Sequence, residues 1–83
     1  PATNAAMIIS KKVAQKGLEW PEVDSIWNKL YEELDELKEA LKCNRLSDAE
    51  DEIGDVLFTL INLARWNDIS IEEGLAKTNE RFG

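Results

Sequence analysis

Two pairs of carboxylates are the residues of this sequence best able to do chemistry. Glu33 and Glu36 lie three positions apart, and so do Glu52 and Asp55 further along the chain. On a helix, side chains three apart are neighbours, so like charges at that spacing repel unless a cation lies between them. Hard oxygen ligands of this kind suit Mg²⁺, with Mn²⁺ as a substitute. We therefore interpret the four carboxylates as a candidate metal site, and a solvated acidic face is the alternative.

Helices must position these carboxylates, because the sequence lacks the period-two alternation that is typical of strands. We predict one all-α domain over residues 1–83 with four helical segments. Gly17 is suited to follow the end of the first helix, and Ser47 and Ser70 each begin a capping-box pattern. The predicted helices run from about Asn4 to Gln15, from between Pro21 and Asp24 to Leu41 or Lys42, from Ser47 to about Trp66, and from Ser70 to about Arg81.

The second and third helices are expected to form an antiparallel hairpin, because the connection between them is short. Each carries an apolar stripe at helical spacing, which is ordinary core. Both carboxylate pairs border these stripes, so the hairpin is expected to bring the four acids together. The stripes comprise Ile26, Leu30, Leu34, Leu37 and Leu41 on the second helix, and Ala49, Ile53, Val56, Leu57, Leu60, Ile61 and Ala64 on the third.

Two further features of the third helix favour a contact beyond ordinary core. Gly54 lies between Glu52 and Asp55, and a helical glycine costs about 1 kcal/mol relative to alanine. Close approach by another backbone or by a ligand is the usual reason, and mere tolerance is the alternative. A mixed aromatic and polar face is the second feature, and a second subunit or a planar ligand fits it. That face holds Asp55, Phe58 or Thr59, Asn62 and Trp66.

Composition excludes several classes of function. The 83 residues include one cysteine, Cys43, and no histidine, which excludes an intrachain disulfide and all imidazole catalysis. The net charge of −7 leaves no basic stripe for a nucleic acid polymer, and no apolar run is long enough to span a membrane. The N-terminal residues do not resemble a secretory signal, so we expect a cytoplasmic setting.

The ordered motifs resemble the MazG family of all-α nucleoside triphosphate pyrophosphohydrolases. The family pattern is EExxE followed by ExxD, and this sequence has EELDE at 32–36 and EIGD at 52–55. The flanking stretches GLEWP at 17–21, DVLF at 55–58, NLAR at 62–65 and KTNERF at 77–82 also match. Because the matches cover nearly the whole chain from about Lys12 onward, the set is more specific than any one motif.

The resemblance implies hydrolysis of a (deoxy)nucleoside triphosphate to the monophosphate and pyrophosphate, in house-cleaning of the nucleotide pool. It implies Mg²⁺ held by Glu33, Glu36, Glu52 and Asp55. By geometry, Glu36 and Glu33 are the candidates to take the proton of the attacking water, and the sequence does not decide between them. Lys77, Asn79 and Arg81 match the tail that faces the substrate. The family tail usually carries further basic residues beyond the phenylalanine, so Lys12, Lys16 and Lys29 are candidate substitutes. Trp20 is a candidate to stack on the base.

A chain this small buries a limited share of its surface, so we expect a homo-oligomer, a dimer at least and with room for a tetramer. Pairing of two hairpins would give a core like a four-helix bundle. Two alternatives to the nucleotide hydrolase remain. One is a non-catalytic acidic helical module that assembles or binds a protein, and the other is a related dUTPase-like or phosphoribosyl-ATP pyrophosphohydrolase.

Overall fold

Four helices joined by short turns make up the structure, a computed structural model that describes residues 1–17 and 19–83. This agrees with the predicted all-α fold, and no strand is present among those residues. None of these helices is both long enough and apolar enough to cross a membrane. The helices are α1 (Ala2–Gln15), α2 (Val23–Lys42), α3 (Leu46–Trp66) and α4 (Ile71–Phe82).

The ends of α1 and α4 follow the sequence signals. Gly17 has a φ of 82° and its N–H donates to the Ala14 carbonyl at 3.1 Å, so the expected glycine terminator of α1 is confirmed. Leu18, the next residue of the GLEWP stretch, lies outside the described residues. At the start of α4, the Ser70 hydroxyl accepts a hydrogen bond from the Glu73 N–H at 3.2 Å, which confirms the predicted cap.

The predicted start of the third helix is wrong. Helix α3 begins at Leu46, and its N-cap is Arg45, whose side chain makes no capping hydrogen bond. Asn44 adopts a left-handed φ of 56°, and the Arg45 N–H reaches back to the Ala40 carbonyl at 2.8 Å. The Arg45 carbonyl already accepts from Ala49 N–H at 2.9 Å. Because the chain reverses so tightly, Ser47 falls inside the first turn and caps nothing.

The core lies mainly between α2 and α3, which pack as the expected antiparallel hairpin, while α1 packs against α3. Ile26 is completely buried and Leu30 nearly so. Small residues let the two long helices approach closely at the loop end and at the far end of the hairpin. The small buried residues are Ala40 on α2, with Ala49 and Ala64 on α3.

The predicted apolar stripes are wrong in part. Leu34 and Leu41 are 38% and 53% exposed, and the inward row of α2 instead contains Glu33 and Ala40. The residues of α2 that face the core follow an alternating four–three spacing. This row keeps Ile26, Leu30 and Leu37 of the predicted stripe and replaces Leu34 and Leu41 by the residues one position before them. On α3, Ile53 and Leu57 are also exposed. Each of the two helices therefore also carries exposed apolar residues, and we call the surface that they form the open face of the hairpin. These residues are Trp27, Tyr31, Leu34 and Leu41 of α2 and Leu46, Ile53 and Leu57 of α3.

Gly54 is exposed, and a Cβ built on it would meet nothing within 4 Å. The close approach expected there is therefore not made by any other described part of the chain, and contact with a ligand or a second copy stays a prediction.

We expect Gly54→Ala to raise the free energy of unfolding by up to about 1 kcal/mol, because alanine is the better helix former. Gly74→Ala is the matched control, since Gly74 is also helical and open around its Cα. Urea denaturation followed by circular dichroism measures both variants. Destabilisation by Gly54→Ala with stabilisation by Gly74→Ala would contradict the open environment of Gly54.

Candidate active site

The hairpin brings the four candidate metal ligands within electrostatic reach of one another. Glu33 and Glu36 come from the middle of α2, and Glu52 and Asp55 come from the facing part of α3. Glu33 is buried, Glu52 is half-buried, and Glu36 and Asp55 are exposed. The cluster therefore runs from the helix–helix interface outward to solvent, which is an arrangement that a ligand can reach from one side.

Glu33 occupies an inward position because a neighbour satisfies one of its oxygens. It is 5% exposed, and its Oε1 accepts a hydrogen bond from the hydroxyl of Thr59 on α3. Burying a carboxylate is costly unless it is hydrogen-bonded or paired with a cation. The Thr59 hydroxyl therefore fixes the orientation of Glu33 and leaves its other oxygen, Oε2, for a further partner.

Glu52 carries the clearest sign of an unbalanced charge. Removal from water raises the pKa of its carboxyl above the ordinary value. The Glu36 carboxyl raises this pKa further, through its charge and as a hydrogen-bond partner, and the charges of Asp55 and Glu33 have smaller effects. Its Oε2 atom is buried without a hydrogen-bond partner among the described residues. Buried polar atoms normally have partners, so this one needs an explanation.

A divalent cation fits this donor set chemically. All four ligand candidates offer hard carboxylate oxygens, and the described residues supply no hydrogen-bond partner for the buried Oε2 of Glu52. Within residues 1–17 and 19–83, however, no three acidic or cysteine side chains are already gathered at the spacing of a metal site. A bound cation would have to draw the outer carboxylates inward, and Glu36 and Asp55 are exposed enough to move.

A cavity of about 230 Å³ opens beside the cluster toward the hairpin loop. Its walls carry five carboxylates, those of Glu36, Glu39, Asp48, Asp51 and Glu52, together with the guanidinium of Arg45. Arg45 forms an exposed ion pair with Asp48 at 3.2 Å. The negative walls would repel an anionic ligand unless cations accompany it.

A second cavity, of about 190 Å³, lies against the opposite part of α3 and has a different character. Trp20 and Phe58 supply aromatic walls, and Asn62 supplies an amide. Asn62 is 7% exposed and its Oδ1 accepts from the Ser10 hydroxyl of α1 at 2.5 Å. The face of α3 expected to meet a second subunit is thus partly covered by α1 of the same chain.

An arginine ties the Trp20 segment to this cavity. The two terminal nitrogens of Arg65 donate to the Glu19 carboxylate at 2.6 and 2.7 Å, and its Nε donates to Ser10 Oγ at 2.6 Å. The hydrogen bonds from Arg65 lower the pKa of the Glu19 carboxyl below its ordinary value, and partial removal from water opposes this shift. The network joins α1, the loop before α2 and α3 around one wall.

Comparison with known proteins identifies the family. The sequence pattern described as the MazG nucleotide pyrophosphohydrolase domain matches residues 22–82. The chain belongs to the MazG family. It is 37% identical over 82 residues to the nucleoside triphosphate pyrophosphohydrolase/pyrophosphatase MazG of Thermotoga maritima, covering 99% of this chain and 31% of that protein. The nucleoside triphosphate pyrophosphohydrolase of Escherichia coli K12 is also 37% identical, over 84 residues, covering 99% of this chain and 32% of the relative. The chain thus spans about a third of the length of these relatives.

The remaining residues suggested by the MazG resemblance lie apart from the carboxylates. Lys77, Asn79 and Arg81 are exposed on α4, and no hydrogen bond or ion pair among the described residues links them to the cluster. The Arg81 guanidinium instead lies 5.5 Å from the centre of the Phe82 ring. These residues would need a second copy or a bound ligand to join the site.

The candidate lysines differ in their surroundings. Lys12 and Lys16 are exposed at the end of α1. Lys29 forms an ion pair with Glu32 at 3.5 Å. The charge of Glu32 raises the pKa of the Lys29 ammonium, and Glu33 and Glu36 add to this in the same direction. Of the three candidate lysines, Lys29 is therefore the one that interacts electrostatically with the carboxylate cluster.

Sequence reasoning missed the polar side chains that support the MazG site. The sequence pattern places Thr59 on a mixed face of the third helix, and it does not identify Ser10 or Glu19 as hydrogen-bond partners. A signal was present, because Thr59, Asn62 and Arg65 recur at three-residue spacing on the third helix. Polar residues at that spacing within an apolar helix indicate a buried network, but their partners come from distant positions.

We expect Glu19→Gln to cost about 1 kcal/mol of unfolding free energy at neutral pH, the upper end for a partly exposed ion pair. Because the pKa of Glu19 is lowered in the folded state from 4.5, the pair's contribution is complete above 4.5. It disappears as pH falls through the lowered pKa. Denaturant unfolding of wild type and variant between pH 7 and pH 3 measures this difference.

Glu22→Gln is the control, because Glu22 has no ion-pair partner among the described residues and caps nothing with its side chain. A Glu19→Gln deficit that stays constant down to pH 3 would contradict the ion pair with Arg65.

Proposed function

We propose that this MazG domain hydrolyses nucleoside triphosphates between the α and β phosphates, releasing the monophosphate and pyrophosphate. One observation carries the proposal: Glu52 Oε2 is buried near three other carboxylates and has no hydrogen-bond partner within residues 1–17 and 19–83. The names of the two relatives support the same reaction. We also propose a role in cytoplasmic nucleotide-pool house-cleaning, with deoxynucleotides among the substrates.

Glu33, Glu36, Glu52 and Asp55 would hold Mg²⁺, with Mn²⁺ as a substitute. When bound, the metal ion neutralises phosphate charge, orients the phosphate oxygens and makes water a better nucleophile. Neutralisation matters here, since the chain carries a net charge of −7 and its acidic walls would otherwise repel a triphosphate. The negative charge of the carboxylate cluster is therefore the reason that a triphosphate would need a metal ion to bind there.

Water attack needs a base that takes its proton while the α–β phosphoanhydride bond breaks and pyrophosphate leaves. Glu33 and Glu36 are the candidates. Thr59 holds Glu33 in a fixed orientation at the buried end of the cluster, whereas Glu36 is exposed and close enough to Glu52 to affect its pKa. We infer that Glu33 anchors the cluster and that Glu36 accepts the proton.

The Trp20 cavity is suited to the nucleobase. Asp55, Phe58 or Thr59, and Asn62 follow one face of α3, and seven residues of helix span about 10 Å. A sugar can bridge that distance between a phosphate held at Asp55 and a base beside Asn62. Trp20 and Phe58 would then pack on the planar base, as aromatic walls of small-molecule sites do.

A second copy of the chain is the occupant that fits the open apolar face of the hairpin. Seven large apolar side chains are exposed there, from Trp27 on α2 to Leu57 on α3, and an exposed group of apolar side chains of this kind is typical of an interaction surface. Pairing two hairpins gives a four-helix bundle. It also offers a route for Arg81, Lys77 or Lys12 of one copy to reach the carboxylates of the other.

Pyrophosphate release from a panel of dNTPs and NTPs with Mg²⁺ tests the reaction. We expect Glu36→Gln and Asp55→Asn each to lower turnover about a hundredfold or more, because each removes a ligand or base. Both variants relieve like-charge repulsion, so their metal-free melting temperatures should hold or rise. Glu50→Gln is the control and is expected to retain activity, because Glu50 is an exposed acid on α3, the helix that also carries Asp55.

Orthophosphate release, or no turnover on any nucleotide, would contradict the proposed reaction. A thermal shift with Mg²⁺ separates the non-catalytic module from the enzyme, because only a native-state metal site is stabilised by the ion. The substrate panel separates the general hydrolase from a dUTPase-like enzyme or a phosphoribosyl-ATP pyrophosphohydrolase.

Light scattering tests the assembly. We expect a mass at least twice the 9.4 kDa of one chain, and we expect Leu57→Glu to reduce it by placing a charge in the paired face. Leu75→Glu is the control, since Leu75 is about equally exposed but lies on α4. A fully active wild-type protein of 9.4 kDa would contradict both the paired hairpins and a site shared between copies.

A further inference from the structure

The amide of Asn62 lies at the end of a chain of hydrogen bonds that begins at Arg65. A guanidinium can only donate. Arg65 Nε donates to Ser10 Oγ at 2.6 Å, so the Ser10 hydroxyl accepts there through one of its two lone pairs and keeps its proton to donate. It donates to Asn62 Oδ1 at 2.5 Å. The amide oxygen of Asn62 therefore faces Ser10, and its Nδ2 points elsewhere.

This order is held firmly. The Glu19 carboxylate binds both terminal nitrogens of Arg65, so the guanidinium cannot easily rotate away from Ser10. Ser10 and Asn62 are 2% and 7% exposed, so water competes little for their hydrogen bonds. Reversal of the amide would turn its N–H groups toward Ser10 Oγ and take away the acceptor of the Ser10 proton.

The consequence concerns the wall of the Trp20 cavity. Asn62 lines that cavity beside Trp20 and Phe58, and among residues 1–17 and 19–83 its Nδ2 donates to nothing. A free asparagine can offer a donor and an acceptor together, as in its paired contacts with adenine. Asn62 has its oxygen engaged, so it can offer only donors to a bound molecule.

We propose that Asn62 is a specificity-determining residue that selects bases with a carbonyl oxygen over bases with an amino group at the same ring position. The inference rests on the proposed function, since it takes the Trp20 cavity as the base site. An amino group facing Nδ2 would oppose donor to donor and leave both groups unpaired in a buried place, which binding sites reject strongly. Ser10, Arg65 and Glu19 are positioning residues that act through Asn62.

Two pairs of nearly isosteric nucleotides test the proposal. dUTP and dCTP differ at C4 of a pyrimidine, and dITP and dATP differ at C6 of a purine. For the ring size that the cavity accepts, we expect kcat/KM for pyrophosphate release to favour the oxo member by about tenfold or more. Calorimetric binding of the corresponding monophosphates without metal should show the same preference.

Asn62→Asp replaces the donors by an acceptor of equal size and should reduce or reverse the preference. Ser10→Ala removes the group that orients the amide and should bring the oxo-to-amino ratio toward one. Thr3→Ala is the matched control, because Thr3 is another α1 hydroxyl whose bond to Glu72 lies away from this cavity. It should leave the ratio unchanged. Circular dichroism checks that each variant is folded.

An amino preference in wild type, a ratio near one, or a ratio unchanged in both folded variants would overturn the role of Asn62. Should no nucleotide release pyrophosphate, the proposed function fails on its own, and the metal-free monophosphate ratio still decides whether Asn62 selects carbonyl-bearing bases.

Discussion

Repulsion among the carboxylates of Glu33, Glu36, Glu52 and Asp55 is the constraint on which the active part of the hairpin depends. Packing α2 against α3 forces these acids together. The pKa of Glu52 is raised as a result, first by its removal from water and then by the charge of Glu36. The fold tolerates the cluster because its outer members reach solvent and Thr59 satisfies the innermost one. A cation would relieve what remains.

The rest of the structure supports this cluster from two directions. Small residues such as Ala40 and Ala49 let the two long helices approach, which sets the spacing between the acidic pairs. Toward the C-terminal end of α3, the Glu19–Arg65–Ser10–Asn62 network fixes α1 and the Trp20 segment. One helix therefore presents a charged site and an aromatic cavity along neighbouring turns. A nucleotide has matching parts, since its phosphates are charged and its base is planar and aromatic.

Sequence periodicity predicted the four helices and the pairing of the acids, because both depend on local spacing. It correctly placed Ile26 and Leu30 of α2 inward, but it misjudged two later positions, where Glu33 and Ala40 are buried and Leu34 and Leu41 are exposed. The alternatives differ by one residue, and apolarity alone favoured the leucines. Glu33 is buried because Thr59, 26 residues away, supplies a hydrogen bond, and a helical pattern carries no record of such a partner. The Ser47 cap failed for a related reason, since the tight reversal at Asn44 began α3 earlier.

Crystals equilibrated with MnCl₂ and measured near the manganese absorption edge test the central claim most directly. The account predicts an anomalous difference peak between α2 and α3, bonded to oxygens of Glu52 and of its three neighbours, with the carboxylates drawn together around it. Its coordination should include Glu52 Oε2, the buried atom for which the described part of the chain supplies no hydrogen-bond partner. A protein that shows no peak there at saturating Mn²⁺, or binds the ion elsewhere, would contradict it.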